Sequence, residues 1–187
     1  MRRPGQRGFT LLEVIIVISM MSIMMMTAYY YMGNKGDKAQ LKSVARDLTS
    51  NMNLARTRAI RDTRPWAIQF NPGANSYVVI SDSGEPYAPE DPADPVTWGD
   101  GDDTVFRTIT LPQNVSFGSN QGELNAVAIG DGVSYPNDRI VFNPNGTSSD
   151  TGTVYLTVPS GITFAVSTLA ATGRIKIWHN YGSGWSN

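Results

Sequence analysis

Hydrophobic and polar positions divide this 187-residue chain into stretches of different period. From Phe9 to Met32 the chain runs apolar for 24 residues, and Glu13 is its only charge. About 20 apolar residues cross a bilayer core as a helix, so the run is long enough to span. A cleavable secretory signal has a shorter apolar region that ends in small residues. This run ends in Thr27-Ala28-Tyr29-Tyr30-Tyr31-Met32, an aromatic cluster suited to a membrane interface. It reads as a retained membrane helix. An acid in such a run either finds a partner or lies hydrated at headgroup depth. Basic residues flank both ends, Arg2, Arg3 and Arg7 against Lys35, Lys38, Lys42 and Arg46, so the positive-inside count does not set the orientation.

Between Lys38 and Ile60 the apolar positions Leu41, Ala45, Leu48, Met52, Ala55 and Ala59 recur at steps of four and three, with Val44 beside them. That spacing predicts one face of a helix. Lys42, Arg46, Arg58 and Arg61 fall off the stripe and Arg56 sits near its edge, so these bases read as a solvated face. Leu54 lies on the opposite side and is unexplained by the stripe. A single helix cannot bury such a stripe alone, so it is expected to pack on the domain that follows. Arg64-Pro65 ends the helix, because the residue before proline is pushed out of the helical region.

Beyond Pro65 the pattern changes to short strands and turn residues. Trp66–Phe70 and Ser76–Ile80 flank Asn71-Pro72-Gly73-Ala74-Asn75, which predicts a hairpin. Val105–Leu111 roughly alternates, and Arg139–Phe142 precedes the turn signal Asn143-Pro144-Asn145-Gly146. Thr153–Val158, Ile162–Ser167 and Arg174–Trp178 read as further strands. The expected fold class is α+β, a long N-terminal helix packed on a small antiparallel β-rich head.

Charge adds an asymmetry to this layout. Residues 35–64 carry eight Lys/Arg against three Asp, whereas residues 65–187 carry four Lys/Arg against twelve Asp/Glu. A basic stem joined to an acidic head favours complementary contacts between copies or partners, although each part is also simply made soluble by its charge. The chain has no cysteine, which excludes disulfides, thiolate metal sites and a cysteine nucleophile. Asp82, Glu85, Glu90, Asp91, Asp94, Asp100, Asp102 and Asp103 crowd residues 82–103, but the D-x-D-x-D-G spacing of a calcium loop is missing, so a solvated loop is expected. His179 is the sole histidine and reads as a surface residue near a strand end. Neither a G-x-S-x-G elbow nor an H-E-x-x-H pair occurs, and the chain is read as no enzyme, with no cofactor.

Gly8-Phe9-Thr10-Leu11-Leu12-Glu13 resembles the type IV prepilin processing motif. The resemblance implies cleavage between Gly8 and Phe9 by a prepilin peptidase and N-methylation of Phe9. It also implies that Glu13 meets the positive amino terminus of a neighbouring subunit, and opposite charges in low dielectric attract strongly. Many pilins carry a helix-bending proline where this chain has Tyr30, so Gly33 and Gly36 are the expected weak points. Domain boundaries follow: a leader over 1–8, a membrane helix over 9–32, a periplasmic stem over 33–64 and a β-rich head over 65–187.

A second resemblance covers most of the remainder. Leu54-Ala55-Arg56-Thr57-Arg58-Ala59-Ile60 with Arg64-Pro65 looks like the stem-to-head junction of the GspH/FimT family. Phe142-Asn143-Pro144-Asn145-Gly146 and Thr172-Gly173-Arg174-Ile175 look like its two C-terminal signatures. Membership implies a minor pseudopilin of type II secretion, held in the bacterial inner membrane with its head in the periplasm and partnered by other pilin-like subunits. The alternative is a minor type IV pilin for pilus assembly or DNA uptake. Alternation places Arg174 and Lys176 on one strand face, opposite Ile175 and Ile177. Some family members tied to DNA uptake carry a similar basic motif there, which implies phosphate contact. Two bases on an acidic head release few counterions, so a structural turn and strand is the preferred reading.

Overall fold

The computed structural model describes residues 9–82, 103–122, 124 and 130–187, with the side chains of 30–35 left aside. The predicted leader and most of the acidic 82–103 stretch lie outside the described residues. The chain divides into two compact units between Gly36 and Asp37.

One helix, α1, runs from Leu11 to Asp62. Thr10 caps it, its Oγ1 accepting the Glu13 amide N–H at 3.2 Å, so the motif that carries the processing signature is also a helix start. Helical hydrogen bonding continues through Gly33 and Gly36, yet the boundary between the two units falls at Gly36. The helix stops at Asp62, two residues before the predicted Arg64-Pro65 signal. Thr63 adopts a left-handed conformation (φ 54°), a C-terminal cap unusual for a β-branched residue.

In the second unit the predicted stripe is buried residue for residue. Leu41, Ala45, Met52, Ala55 and Ala59 have no exposed surface, and Val44 and Leu48 nearly none. Leu54 is half-buried, and nothing in the structure explains it. The stripe packs on two antiparallel sheets. The first has the order β3-β2-β1-β5, from β1 (Trp66–Asn71), β2 (Ser76–Ser81), β3 (Thr104–Thr110) and β5 (Arg139–Phe142). The second has the order β4-β6-β7-β8-β9, from β4 (Ser116–Phe117), β6 (Gly152–Thr157), β7 (Thr163–Leu169), β8 (Arg174–Asn180) and β9 (Trp185–Ser186). Ile68, Phe70, Tyr77 and Val79 of the first sheet join Val154, Leu156, Phe164 and Val166 of the second in one cluster with the stripe. Full burial of each large apolar side chain contributes about 1.5–3 kcal/mol, so a core shared by three elements specifies their mutual placement.

The expected α+β class holds, and the departures from the predicted strands have local causes. A bulge explains the imperfect alternation of Val105–Leu111. Val79 pairs with Arg107 and Ile80 with Val105, which leaves Phe106 as the extra residue and turns its ring over Trp66 at 5.5 Å. The two-residue strands β4 and β9 have no pattern of their own and exist through pairing with β6 and β8. The predicted hairpin closes as expected. Asn71 Oδ1 accepts the Ala74 amide N–H at 3.1 Å, and Asn75 turns the chain in a left-handed conformation.

Candidate functional site

The first unit presents a helix with nothing around it. Leu11–Tyr29 spans 19 residues with a mean hydropathy of 2.2, and none of it is buried. At 1.5 Å per residue this is roughly 28 Å, close to a bilayer core of about 30 Å. Its hydroxyls are satisfied within the helix. Ser19 Oγ donates to Ile15 O and Ser22 Oγ to Ile18 O, both at 2.8 Å, and Thr27 Oγ1 donates to Met24 O at 2.9 Å. A helix that satisfies its own polar groups while exposing an apolar surface suits lipid or a bundle of like helices. Glu13 sits in the first turn as the only charge of the span, and among the described residues no base forms an ion pair with it. Phe9 is 82% exposed at the start, and Gly8 lies outside the described residues.

In the second unit the three sequence signatures converge. Arg56, read above as part of a solvated face, is half-buried and donates from Nε to Gly146 O at 2.8 Å and from Nη2 to Thr172 O at 2.9 Å. One guanidinium thereby ties the stem to the turn after β5 and to the turn before β8. Both turns need glycine. Gly146 (φ 82°) and Gly173 (φ 57°) are left-handed, and a Cβ on Gly173 would lie 2.3 Å from Gly146 O and 2.9 Å from Arg56 Nε. The signatures are therefore the parts of one clasp, in which the glycines let backbone approach backbone and the arginine bridges them.

Other stem bases are also engaged, which corrects the solvated-face expectation. Arg58 lies 4.9 Å from the centre of the Phe106 ring and 5.6 Å from that of Trp66. Lys42, Arg46 and Arg61 are exposed as expected. Lys38 Nζ sits 3.9 Å over the Tyr181 ring, and Asp37 Oδ1 accepts from Asn114 Nδ2 at 3.1 Å, so contacts to the sheets begin at the first residues of this unit.

Two tyrosines fix the interior. Tyr77 is buried and accepts a hydrogen bond from Asn51 Nδ2 at 2.9 Å, and burial pushes its hydroxyl up to about 12 despite that bond. Tyr135 stacks on Phe70 at 6.0 Å and donates toward Gly152 O at 3.1 Å, with Thr168 Oγ1 at 2.7 Å; burial raises its pKa further. These groups are held in one protonation state and serve packing.

The predicted basic pair divides from its strand neighbours as alternation requires. Ile175 and Ile177 pack against the core, while Arg174 and Lys176 line a groove of about 410 Å³ on the outer face of the second sheet. His179 is not the surface residue expected. It is half-buried, 4.9 Å from the Tyr181 ring and 5.9 Å from that of Phe164, with Nε2 3.0 Å from Ser186 Oγ. No group of three or more His, Asp or Glu that could hold a metal occurs among the described residues.

Two family models match the chain: "Type II transport protein GspH" over residues 44–174 and "Prokaryotic N-terminal methylation motif" over residues 3–29. The first contains every member of the clasp. No curated protein matches by sequence. Two structures of the minor pseudopilin EpsH from the type II secretion system of Vibrio cholerae are similar in fold, each with a TM-score of 0.50. They show 10% and 11% identity and cover 74% and 75% of this chain and 95% and 94% of theirs. The type IV minor pilin FimU of Pseudomonas aeruginosa gives a TM-score of 0.49 at 15% identity, over 80% of this chain and 94% of that one. With the family model covering the stem from Val44, strands β1 to β7 and the clasp, and the methylation motif running into the apolar helix, the chain belongs to the GspH family of type II transport proteins and is a minor pseudopilin, a structural subunit rather than an enzyme.

Proposed function

We propose that this minor pseudopilin is cut between Gly8 and Phe9 by a prepilin peptidase, is N-methylated at Phe9, and enters a pseudopilus through its apolar helix. The observation that carries the reading is the fully exposed span Leu11–Tyr29, with Glu13 as its single charge one turn from the new amino terminus. A carboxylate at that depth needs a cation. In a bundle of such helices the cation nearest in register is the methylated amino group of an adjacent subunit, and pairing offsets much of the desolvation of both charges. Before assembly the same helix holds the protein in the inner membrane, with residues 33–64 as the stem and 65–187 as the periplasmic head. The partners are other pseudopilins, the prepilin peptidase and the membrane.

The test compares wild type with Glu13→Ala for leader cleavage, melting temperature of the head, and chemical crosslinking into the pseudopilus. The proposal requires normal cleavage and folding with crosslinking lost. Wild-type crosslinking by Glu13→Ala would refute the pairing and leave Glu13 as a hydrated interfacial residue. A second reading, contact with DNA through Arg174 and Lys176, is favoured only by the place of exposed Arg174 and half-buried Lys176 in the lining of the outer groove.

A further inference from the structure

The outer face of the second sheet carries chemistry that neither the clasp nor the apolar helix uses. Across β7 and β8 the pairs Leu169↔Arg174, Ser167↔Lys176 and Ala165↔Trp178 place their side chains on this face, and Thr153 on β6 extends the Ser167 row. Lys176 Nζ lies 4.9 Å over the Trp178 ring, and Trp178 Nε1 donates to Ser167 Oγ at 2.8 Å, so the platform has fixed positions. Among the described residues no acid lines the groove, although residues 65–187 carry twelve Asp/Glu against four Lys/Arg. A local positive strip on an otherwise acidic domain is an electrostatic contrast that selects carboxylates.

We propose that this groove docks an acidic, extended polypeptide segment of a neighbouring subunit. Along β8, Arg174, Lys176 and Trp178 stand two residues apart, roughly 7 Å per step. Alternate side chains of an extended peptide repeat at the same distance, so two of its carboxylates meet Arg174 and Lys176 while an apolar or aromatic group covers Trp178. The Ser167 hydroxyl, which already accepts from Trp178, keeps its proton to donate to a backbone carbonyl of the docked chain. A groove of about 410 Å³ takes a few residues of peptide. Duplex DNA is the poorer fit, because two bases give few phosphate contacts and little counterion release. Such a segment exists in this chain: residues 83–102 hold six Asp/Glu and no Lys/Arg. The inference deepens the assembly reading, but its test needs neither a membrane nor a pseudopilus, so the two fail separately.

The probe is a dye-labelled peptide with the sequence of residues 83–102, followed by fluorescence anisotropy against the full chain in an uncharged detergent. A control peptide has every Asp and Glu replaced by Asn and Gln, and a labelled duplex of about 20 base pairs is run beside them. The acidic peptide is expected to bind and the amide peptide not. Binding is expected to weaken at least about fivefold between roughly 50 and 300 mM salt, as screening requires. Arg174→Ala/Lys176→Ala is expected to weaken it at least about tenfold while the near-ultraviolet spectrum stays native. Arg46→Ala/Arg61→Ala, which removes exposed stem bases outside the groove, is expected to leave it unchanged. No binding, binding indifferent to the groove substitutions, or binding lost instead in the stem variant each overturns the proposal. Duplex binding that exceeds peptide binding and vanishes in the groove variant overturns it in favour of nucleic acid.

Discussion

Replacing Arg56 with alanine is expected to loosen the whole head from its stem. The substitution removes two charge-assisted hydrogen bonds, at 2.8 and 2.9 Å, and leaves the carbonyl of buried Gly146 without its donor. Hydrogen bonds from a charged group contribute about 1.5–3 kcal/mol each, and an orphaned buried acceptor costs about 1–3 kcal/mol. Arg56 is partly exposed and water can replace some of this, so about 2–4 kcal/mol is expected. For a unit the size of residues 37–187, that is a fall in melting temperature of roughly 4–16 °C, read by tryptophan fluorescence of the full chain in detergent. Arg56→Lys keeps the charge but lacks the planar fork, and should recover no more than one of the two bonds. Gly173→Ala attacks the same place from the other side, since its Cβ would meet Gly146 O at 2.3 Å in a left-handed conformation. Arg56→Ala and Gly173→Ala act on one contact, so their effects should fall short of additive in the double variant. Arg58→Ala serves as the comparison and loses a partly exposed cation–π contact worth about 0.5–1 kcal/mol. A melting temperature for Arg56→Ala within about 1 °C of wild type, or no larger an effect than Arg58→Ala, refutes the clasp.

The native protein from cells with active prepilin peptidase is expected to begin at N-methylated Phe9 by mass spectrometry; an intact Met1 start would contradict the processing proposal. Gly152→Ala should cost about 1–3 kcal/mol, because its Cβ would lie 2.4 Å from the Tyr135 ring in a packed interior, and denaturant unfolding measures it. Burial raises the Tyr77 pKa from 10.0 to about 12, and Tyr135 moves the same way. A pKa raised on folding gives stability that is complete below about pH 10 and lost as pH climbs toward 12, at about 1.4 kcal/mol per pH unit for each tyrosine. Absorbance at about 295 nm should show both ionising only with unfolding, and Tyr77→Phe should flatten part of the decline. Ionisation of all eight tyrosines in one transition near pH 10, with structure retained, would argue against the burial.

The stem stripe was readable because its cause is local: a helix has one period, and Leu41 to Ala59 keep it without a gap. Strand β5 ends where the turn residues after it, beginning at Asn143, say it should, for the same reason. What stayed hidden depends on chain segments far apart. The acceptors of Arg56 lie 90 and 116 residues away, so its side chain looked like any base beside an apolar stripe. A signal did exist, since one arginine at the edge of a buried face accompanies two glycine turns whose left-handed glycines need a reason. The bulge at Phe106 and the two-residue strands β4 and β9 are set by their pairing partners, and no window of their own sequence encodes them. For Glu13 the motif located the residue, and the partner proposed for it belongs to another chain, outside the reach of one sequence.

The clasp also imposes an order of events when the chain is made from its N-terminus. The donor, Arg56, and the stripe that lines the core are synthesised in the first third, while the carbonyls that receive the guanidinium belong to Gly146 and Thr172. Until β8 is complete, only the first sheet is finished to cover the stem's apolar face, and the arginine has one acceptor, Gly146 O, within its grip. Loop closure over such separations is slow, and exposed intermediates are what proteases and neighbouring nascent helices encounter first. A chain broken off before Thr172 would lose half of the arginine's acceptors and an inner strand of the five-stranded sheet. Its stem would be covered by the first sheet and by an incomplete second one, and the fragment would be a more open, cleavable species. Residues 172–187 thus complete the clasp of a subunit whose apolar helix was made long before.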